Sequence, residues 1–295
     1  MDRVVIRGAD GFVGYYVTRK FVEAGWDVQA LIRSEPRRIK GLLDEDRIRT
    51  DSVLLGQADL AVDLGWTGAS GDRRKDFDLQ YCNARNNLLF LRYCKDNLNV
   101  KRYVSIGTIM ERELEHAIHG PAAPDSAYTY AVGKQLAHNL CKLECVANGV
   151  EYVCPVITNA FGPMEYSPRL VNTTIRKLLS GVTPEFSSAT QNYDFVYVED
   201  VANAIFLAAT KGVPMKEYVI GSDRPQPLKG FLEVLCNTVD PDIRPVFGNV
   251  PFTGVNMPLS AFDNSELRKD TGWKQAVPFE EAIRLTTDWI KQNDK

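Results

Sequence analysis

Apolar and polar positions along the chain fall into short blocks whose spacing switches between a strand period of two and a helical period near 3.6. Val4 to Ile6 reads as a short strand, Gly8 to Gly14 as a tight turn, and Tyr15 to Ala24 as a helix stopped by Gly25. Val28, Ala30, Leu31 and Ile32 supply a second strand, completing a β-α-β unit. A helix or loop follows through Arg37 to Leu43, then a short edge segment near Ile48, then Leu60 to Leu64 as a buried strand ending at Gly65. Long helices are predicted from about Leu79 to Lys95 and from Tyr128 to Asn148, with strands at Arg102 to Ile106 and, after the Gly149 stop, at Tyr152 to Ile157. Strand and helix keep alternating, so the expected fold is α/β, a Rossmann-type doubly wound parallel sheet covered on both faces.

After Gly162-Pro163 the segments shorten and prolines multiply, until a last helix from Pro278 to Gln292. We therefore expect a dinucleotide-binding domain over residues 1–160 and a smaller mixed C-terminal substrate domain over 161–295. Asp194 to Val198 followed by Glu199-Asp200-Val201-Ala202 reads as strand then helix, so the chain is expected to re-enter the first domain near 194–210.

Composition removes some function classes. The 35 Lys and Arg nearly balance the 38 Asp and Glu, leaving a formal charge of -3 and no excess of cations to track a nucleic-acid backbone. No apolar run approaches the roughly 18 to 20 residues of a membrane span, and the first residues lack a secretory leader, so a soluble cytoplasmic protein without membrane partners is expected. The six cysteines are scattered and His116 and His119 read as surface polar residues, so no metal site is expected.

Two constellations carry chemistry. Gly8, Gly11 and Gly14 form a GxxGxxG turn between an apolar strand and a helix, a spacing that lets the backbone approach a diphosphate at the helix N-terminus. At the end of the second strand, where an NAD site usually presents an acid, stand Arg33 and Ser34, with Arg37 and Arg38 close behind. Arg33 therefore favours a 2′-phosphate, and NADP(H) over NAD(H), although a solvated strand end would look the same. Tyr130 and Lys134 are four residues apart on one helix face, a spacing that lets the ammonium favour the phenolate. Thr108 lies just past a predicted strand, at the sheet edge where such folds bind ligands.

With these residues in hand, the chain resembles the extended short-chain dehydrogenase/reductase family of sugar-nucleotide epimerases, dehydratases and ketoreductases. The markers keep their order: the glycine turn, the Asn83 to Leu89 region, Thr108, Tyr130-x-x-x-Lys134, Asn159-Ala160-Phe161-Gly162-Pro163 and Asp194 to Ala202. The resemblance implies that Tyr130 is the acid-base residue, that Lys134 holds the nicotinamide ribose, and that Thr108 orients the reacting sugar oxygen. It implies a cofactor wall of Gly8, Gly11, Phe12, Val13, Gly14, Leu64, Gly65 and Trp66, a substrate contact from Asn159, and a structural role for Asn83. Taken without the family, Asn83 reads as a cap or buried amide and Asn159 as a turn residue.

Three departures qualify the match. Asp63-Leu64-Gly65-Trp66 replaces the usual His-Leu-Ala-Ala, which alters the expected cofactor wall. Val156 replaces an arginine, and Ile109 and Met110 follow Thr108 where the dehydratases carry an Asp and a Glu. Dehydration thus loses its acid pair. The expected activity is NADP(H)-dependent 4-ketoreduction of a nucleotide-diphosphate deoxysugar, resembling the CDP-abequose synthase type. The alternatives are 4-epimerisation with tightly held NAD, and a non-catalytic dinucleotide-binding sensor or scaffold. Apolar stripes around Leu88 to Tyr93 and Leu136 to Val146 suit either core packing or a homodimer interface.

Overall fold

The computed structural model describes residues 2–50, 54, 56–120, 125–252 and 254–293. Its main sheet is parallel throughout. In chain order the strands are β1 (Arg3–Arg7), β2 (Asp27–Leu31), β3 (Ile48–Arg49), β4 (Leu60–Asp63), β5 (Arg102–Ser105), β6 (Gly107–Thr108), β7 (Glu151–Ile157) and β8 (Glu217–Ile220). They lie side by side as β8-β7-β5-β4-β1-β2-β3, with β6 continuing beside β7. The order reverses between β1 and β4, and that reversal opens a crevice at the carboxyl ends of those two strands.

The sheet is doubly covered because alternate residues of each strand point to opposite faces. Val4 and Ile6 of β1 join one buried cluster with Val17 and Phe21 of α1 (Phe12–Glu23), whereas Val5 joins a second with Leu91 and Leu98 of α2 (Phe77–Leu98). Helix α3 (Met110–Ile118) follows β6, and α4 (Thr129–Asn148) packs along α2. Both long helices end on left-handed residues, Asn99 and Gly149, the second at the predicted stop. Arg37 to Leu43 resolves as a loop with a single bridge between Lys40 and Leu43.

Beyond β7 the chain builds α5 (Leu170–Leu179), α6 (Val198–Lys211), α7 (Leu228–Val239), α8 (Ser265–Thr271) and α9 (Phe279–Asn293). Helix α6 returns to lie against α1, and β8 adds an edge to the main sheet. Helices α5, α7 and α9 pack together with three two-stranded pairings, two parallel and one antiparallel, as a smaller mixed α/β unit. The predicted strand from Asp194 to Val198 shortens to Val196–Tyr197, paired with Ala160–Phe161, because Val198 already opens α6.

Candidate active site

The glycine turn is built by backbone crowding. Gly8 adopts φ +81°, and a Cβ placed there would stand 2.8 Å from the Leu64 main chain. A Cβ at Gly14 would stand 2.0 Å from the Gly8 carbonyl oxygen, so only glycine lets α1 close on β1. Gly11 caps α1 without a side-chain hydrogen bond, and no acidic residue occupies the first turn. The helix N-terminus therefore offers main-chain donors and a positive dipole end to an anion.

The turn divides two cavities. One, of about 700 Å³, runs past Gly8, Gly11, Leu64, Gly65 and Trp66 to Arg33 and Ser34. The other, of about 570 Å³, is lined by Phe12, Val13 and Gly14 and by Thr108, Tyr130, Lys134 and Asn159. The uncapped helix end at their junction suits the diphosphate of a dinucleotide, with its two nucleoside halves in the two cavities.

Tyr130 and Lys134 are buried, 7% and 8% exposed, and both line the smaller cavity. Lys134 Nζ donates to the Ile106 carbonyl at 2.8 Å and sits 4.1 Å from the centre of the Trp66 ring. The Trp66 indole meets the Tyr130 ring edge-on at 6.0 Å and donates from Nε1 to Gln80 Oε1 at 2.8 Å. Trp66 thus braces both members of the pair. Thr108 is fixed by its register with Ile157 in β7 and by its main-chain N–H, which donates to Glu111 Oε1 at 2.8 Å.

Asn83 is buried and exchanges hydrogen bonds with the Thr67 main chain, donating at 2.7 Å and accepting at 3.2 Å. It lines the larger cavity and pins the loop after β4. Asn159 lines the smaller cavity while its amide donates to the Asp194 carbonyl and accepts from the Tyr193 hydroxyl.

The expected change at Asp63 is relocated. Asp63 lies behind the cofactor wall, its side chain wholly buried, with both carboxylate oxygens 2.7 Å from the Arg7 guanidinium. Burial opposes the Arg7 charge, but Asp63 outweighs that cost and holds the Arg7 pKa above its ordinary value. Tyr103 also donates to Asp63 at 2.6 Å, and the Gly65 N–H does so at 3.0 Å, so the acid orients the loop that carries Trp66. Val156 is core, paired with Gly107.

Sequence reasoning missed Arg74 and Glu113. Both line the smaller cavity, and the Arg74 guanidinium lies over the Tyr130 ring at 4.8 Å. A lone Arg in a polar stretch and a Glu on an unpredicted helix carry no sequence signal of this placement. Among the described residues no group of three His, Cys, Asp or Glu side chains would hold a metal, and no helix is long and apolar enough to cross a membrane.

Comparison with known proteins adds to this geometry. Residues 4–221 match the NAD dependent epimerase/dehydratase family. A dTDP-glucose 4,6-dehydratase of Escherichia coli is 26% identical over 201 residues, covering 64% of this chain and 54% of that protein. The chain thus spans only about half the length of this curated relative. UDP-N-acetylglucosamine 4-epimerase from Methanobrevibacter ruminantium superposes over 99% of this chain and 98% of its own with a TM-score of 0.81 at 21% identity. UDP-glucuronic acid 4-epimerase from Bacillus cereus in complex with NAD does so over 99% and 100%, with a TM-score of 0.78 at 18% identity.

The cofactor expectation is corrected by these matches. Where similar structures are described with a cofactor, it is NAD or NADH, and the preference for NADP(H) falls. The physical reason lies in the arginines. Arg33 donates to Thr67 Oγ1 at 2.7 Å, and Arg38 donates to the carbonyls of Asp10 and Met164 at 3.0 Å each. These guanidiniums are tied into the cavity wall, so their presence in the sequence is no signature of a 2′-phosphate. The chain belongs to the NAD dependent epimerase/dehydratase family, a branch of the extended short-chain dehydrogenase/reductases.

Proposed function

We propose that the protein is an NAD-dependent nucleotide-sugar 4-epimerase. The observation that carries this reading is the convergence of Thr108, Tyr130 and Lys134 on one cavity that begins at the uncapped glycine turn, with Ile109 and Met110 in place of an acid pair. When bound there, NAD supplies reversible redox chemistry at the sugar C4 carbon.

The chain's own residues position and move protons. Thr108 Oγ1 holds the C4 oxygen, and Tyr130, acting as the phenolate, takes the proton of the C4 hydroxyl as the hydride leaves and, as the resulting phenol, returns it when the hydride comes back. Lys134, anchored on Ile106 and Trp66, holds the ribose beside them and contributes its positive charge to the site. The 4-keto sugar turns its other face within this cavity before reduction. Retained NAD suits this redox-neutral cycle, whereas 4-ketoreduction consumes one reduced cofactor per turnover. The stripe of Val132, Leu143 and Val146 exposed on α4, with Phe77 and Tyr81 on α2, supports a homodimer built on these two helices.

The test is turnover of UDP- and dTDP-hexoses followed by NMR, with absorbance of reduced nicotinamide recorded in parallel. C4 inversion without net change in that absorbance supports the reading. A 4-keto-6-deoxy product, or stoichiometric consumption of reduced cofactor, would replace it with dehydration or ketoreduction.

A further inference from the structure

Arg74 is an electrostatic anomaly in this cavity. It stands on the short turn Gly71–Lys75, half-buried, and its guanidinium covers the Tyr130 ring. Arg7, Arg19, Arg92, Arg102 and Arg169 each meet a carboxylate, in turn Asp63, Glu199, Glu144, Glu151 and Glu165. Among the described residues no carboxylate lies within ion-pair distance of Arg74. Its Nε is buried without a hydrogen-bond acceptor, and its Nη2 meets only the Met110 thioether sulfur, a weak acceptor. Burial lowers its pKa and nearby Arg169 lowers it further, against the opposing pull of Tyr130 and Glu113.

A guanidinium withdrawn from water and left without an anion is costly, and a ligand that supplies the anion recovers that cost on binding. We propose that Arg74 pairs with a carboxylate on the reacting sugar, so that the substrate class is a nucleotide-activated hexuronic acid. This rests on the nucleotide-sugar reading above. The position is specific to the sugar. Tyr130, under the guanidinium, handles the C4 oxygen, and the uronate carboxylate is borne by the adjacent ring carbon, C5. The groups whose charges act on Arg74, namely Tyr130, Arg169, Glu113 of α3 and Tyr193, all line this same cavity. A planar guanidinium also binds a carboxylate through two parallel hydrogen bonds, which a neutral hydroxymethyl group does not offer.

Glu113 lines the same cavity, and burial raises its pKa against the opposing pull of Arg74.

The experiment is calorimetric titration of NAD-saturated protein with UDP, UDP-glucose and UDP-glucuronic acid, for the wild type and for Arg74→Met and Arg74→Lys. The nucleotide is constant across the series, so its own contribution cancels in the ratio of the two sugars. The wild type is expected to prefer UDP-glucuronic acid over UDP-glucose by about tenfold or more. Arg74→Met is expected to abolish that preference with UDP affinity unchanged, and Arg74→Lys to keep part of it. Equal affinity of the wild type for both sugars, or an unchanged ratio in Arg74→Met, would overturn the carboxylate assignment and leave the nucleotide-sugar reading intact. Loss of UDP affinity in Arg74→Met would overturn it as well, by placing the guanidinium on the diphosphate. Failure of the NAD-bound wild type to take up UDP or either sugar would bring down both readings.

Discussion

Tyr130 and Asp63 show how one residue type acquires its role from what surrounds it. Tyr130 has Trp66 at its edge, Arg74 over its face and Lys134 one turn along α4, contacts that hold its ring in the wall of the smaller cavity. Removing only that hydroxyl, in Tyr130→Phe, should lower turnover by about 100-fold or more while calorimetry still detects NAD binding. Unchanged turnover would remove Tyr130 from the chemistry. Asp63 instead neutralises a buried guanidinium. Asp63→Ala would strand Arg7, and chemical denaturation should report a loss of about 3–5 kcal/mol. The Tyr-Lys pair was legible in the sequence because its meaning lies in a four-residue spacing. The Arg7 to Asp63 pair was not, because it depends on the register that sets β1 beside β4.

At the scale of elements, the β1-turn-α1 unit was readable because glycine spacing and strand-helix alternation are local properties. The largest shift was at the helix start, Phe12 rather than Tyr15, since Gly11 serves as the cap, while the strand and the helix end moved by one residue. Helix α3 was not read from the sequence although Met110, Leu114 and Ala117 recur at helical spacing, because four charged residues fall among them in so short a segment; β6 and α4 receive that face, and Glu111 is turned inward with it. There Glu111 holds the Thr108 N–H with one oxygen and faces His138 of α4 with the other, at 3.4 Å. His138 also meets Cys154 of β7 and, through Nε2, Glu217 of β8 at 3.3 Å. Burial disfavours the charged ring, but Cys154, Glu111 and Glu217 prevail and raise its pKa above 6.5. The His138 bond in turn leads the influences that lower the Glu217 pKa below 4.5. The raised His138 contributes its full stabilisation below pH 6.5 and loses it as pH rises above that value. The lowered Glu217 contributes above pH 4.5 and loses its share as pH falls below it. His138→Gln should therefore lower the melting temperature most between about pH 4.5 and 6.5, with the gap to wild type narrowing on the alkaline side. A gap that widens with rising pH would contradict the charged state of His138.

For the whole molecule, the doubly wound sheet frames the site by bringing the ends of β1, β4 and β6 to one edge. The smaller mixed unit adds Asn159, Arg169 and Tyr193 to the same cavity. Those contributions follow from the pairing of Ala160–Phe161 with Val196–Tyr197, which joins segments 36 positions apart and leaves no local pattern. Phe77, Tyr81 and Leu89 of α2 and Val132, Leu143 and Val146 of α4 stay exposed among polar neighbours. If these two helices form a homodimer, Leu143→Glu should halve the mass seen by light scattering without lowering the melting temperature of the protomer; an unchanged mass would assign the stripe to no interface. The central claim concerns the path of one hydrogen atom. Given a nucleotide sugar deuterated at C4 and unlabelled NAD, the account predicts a C4-inverted product that keeps the deuterium at C4, because the hydride leaves and returns within one bound complex. Deuterium found in released reduced cofactor, at C6, or in no inverted product at all would contradict it.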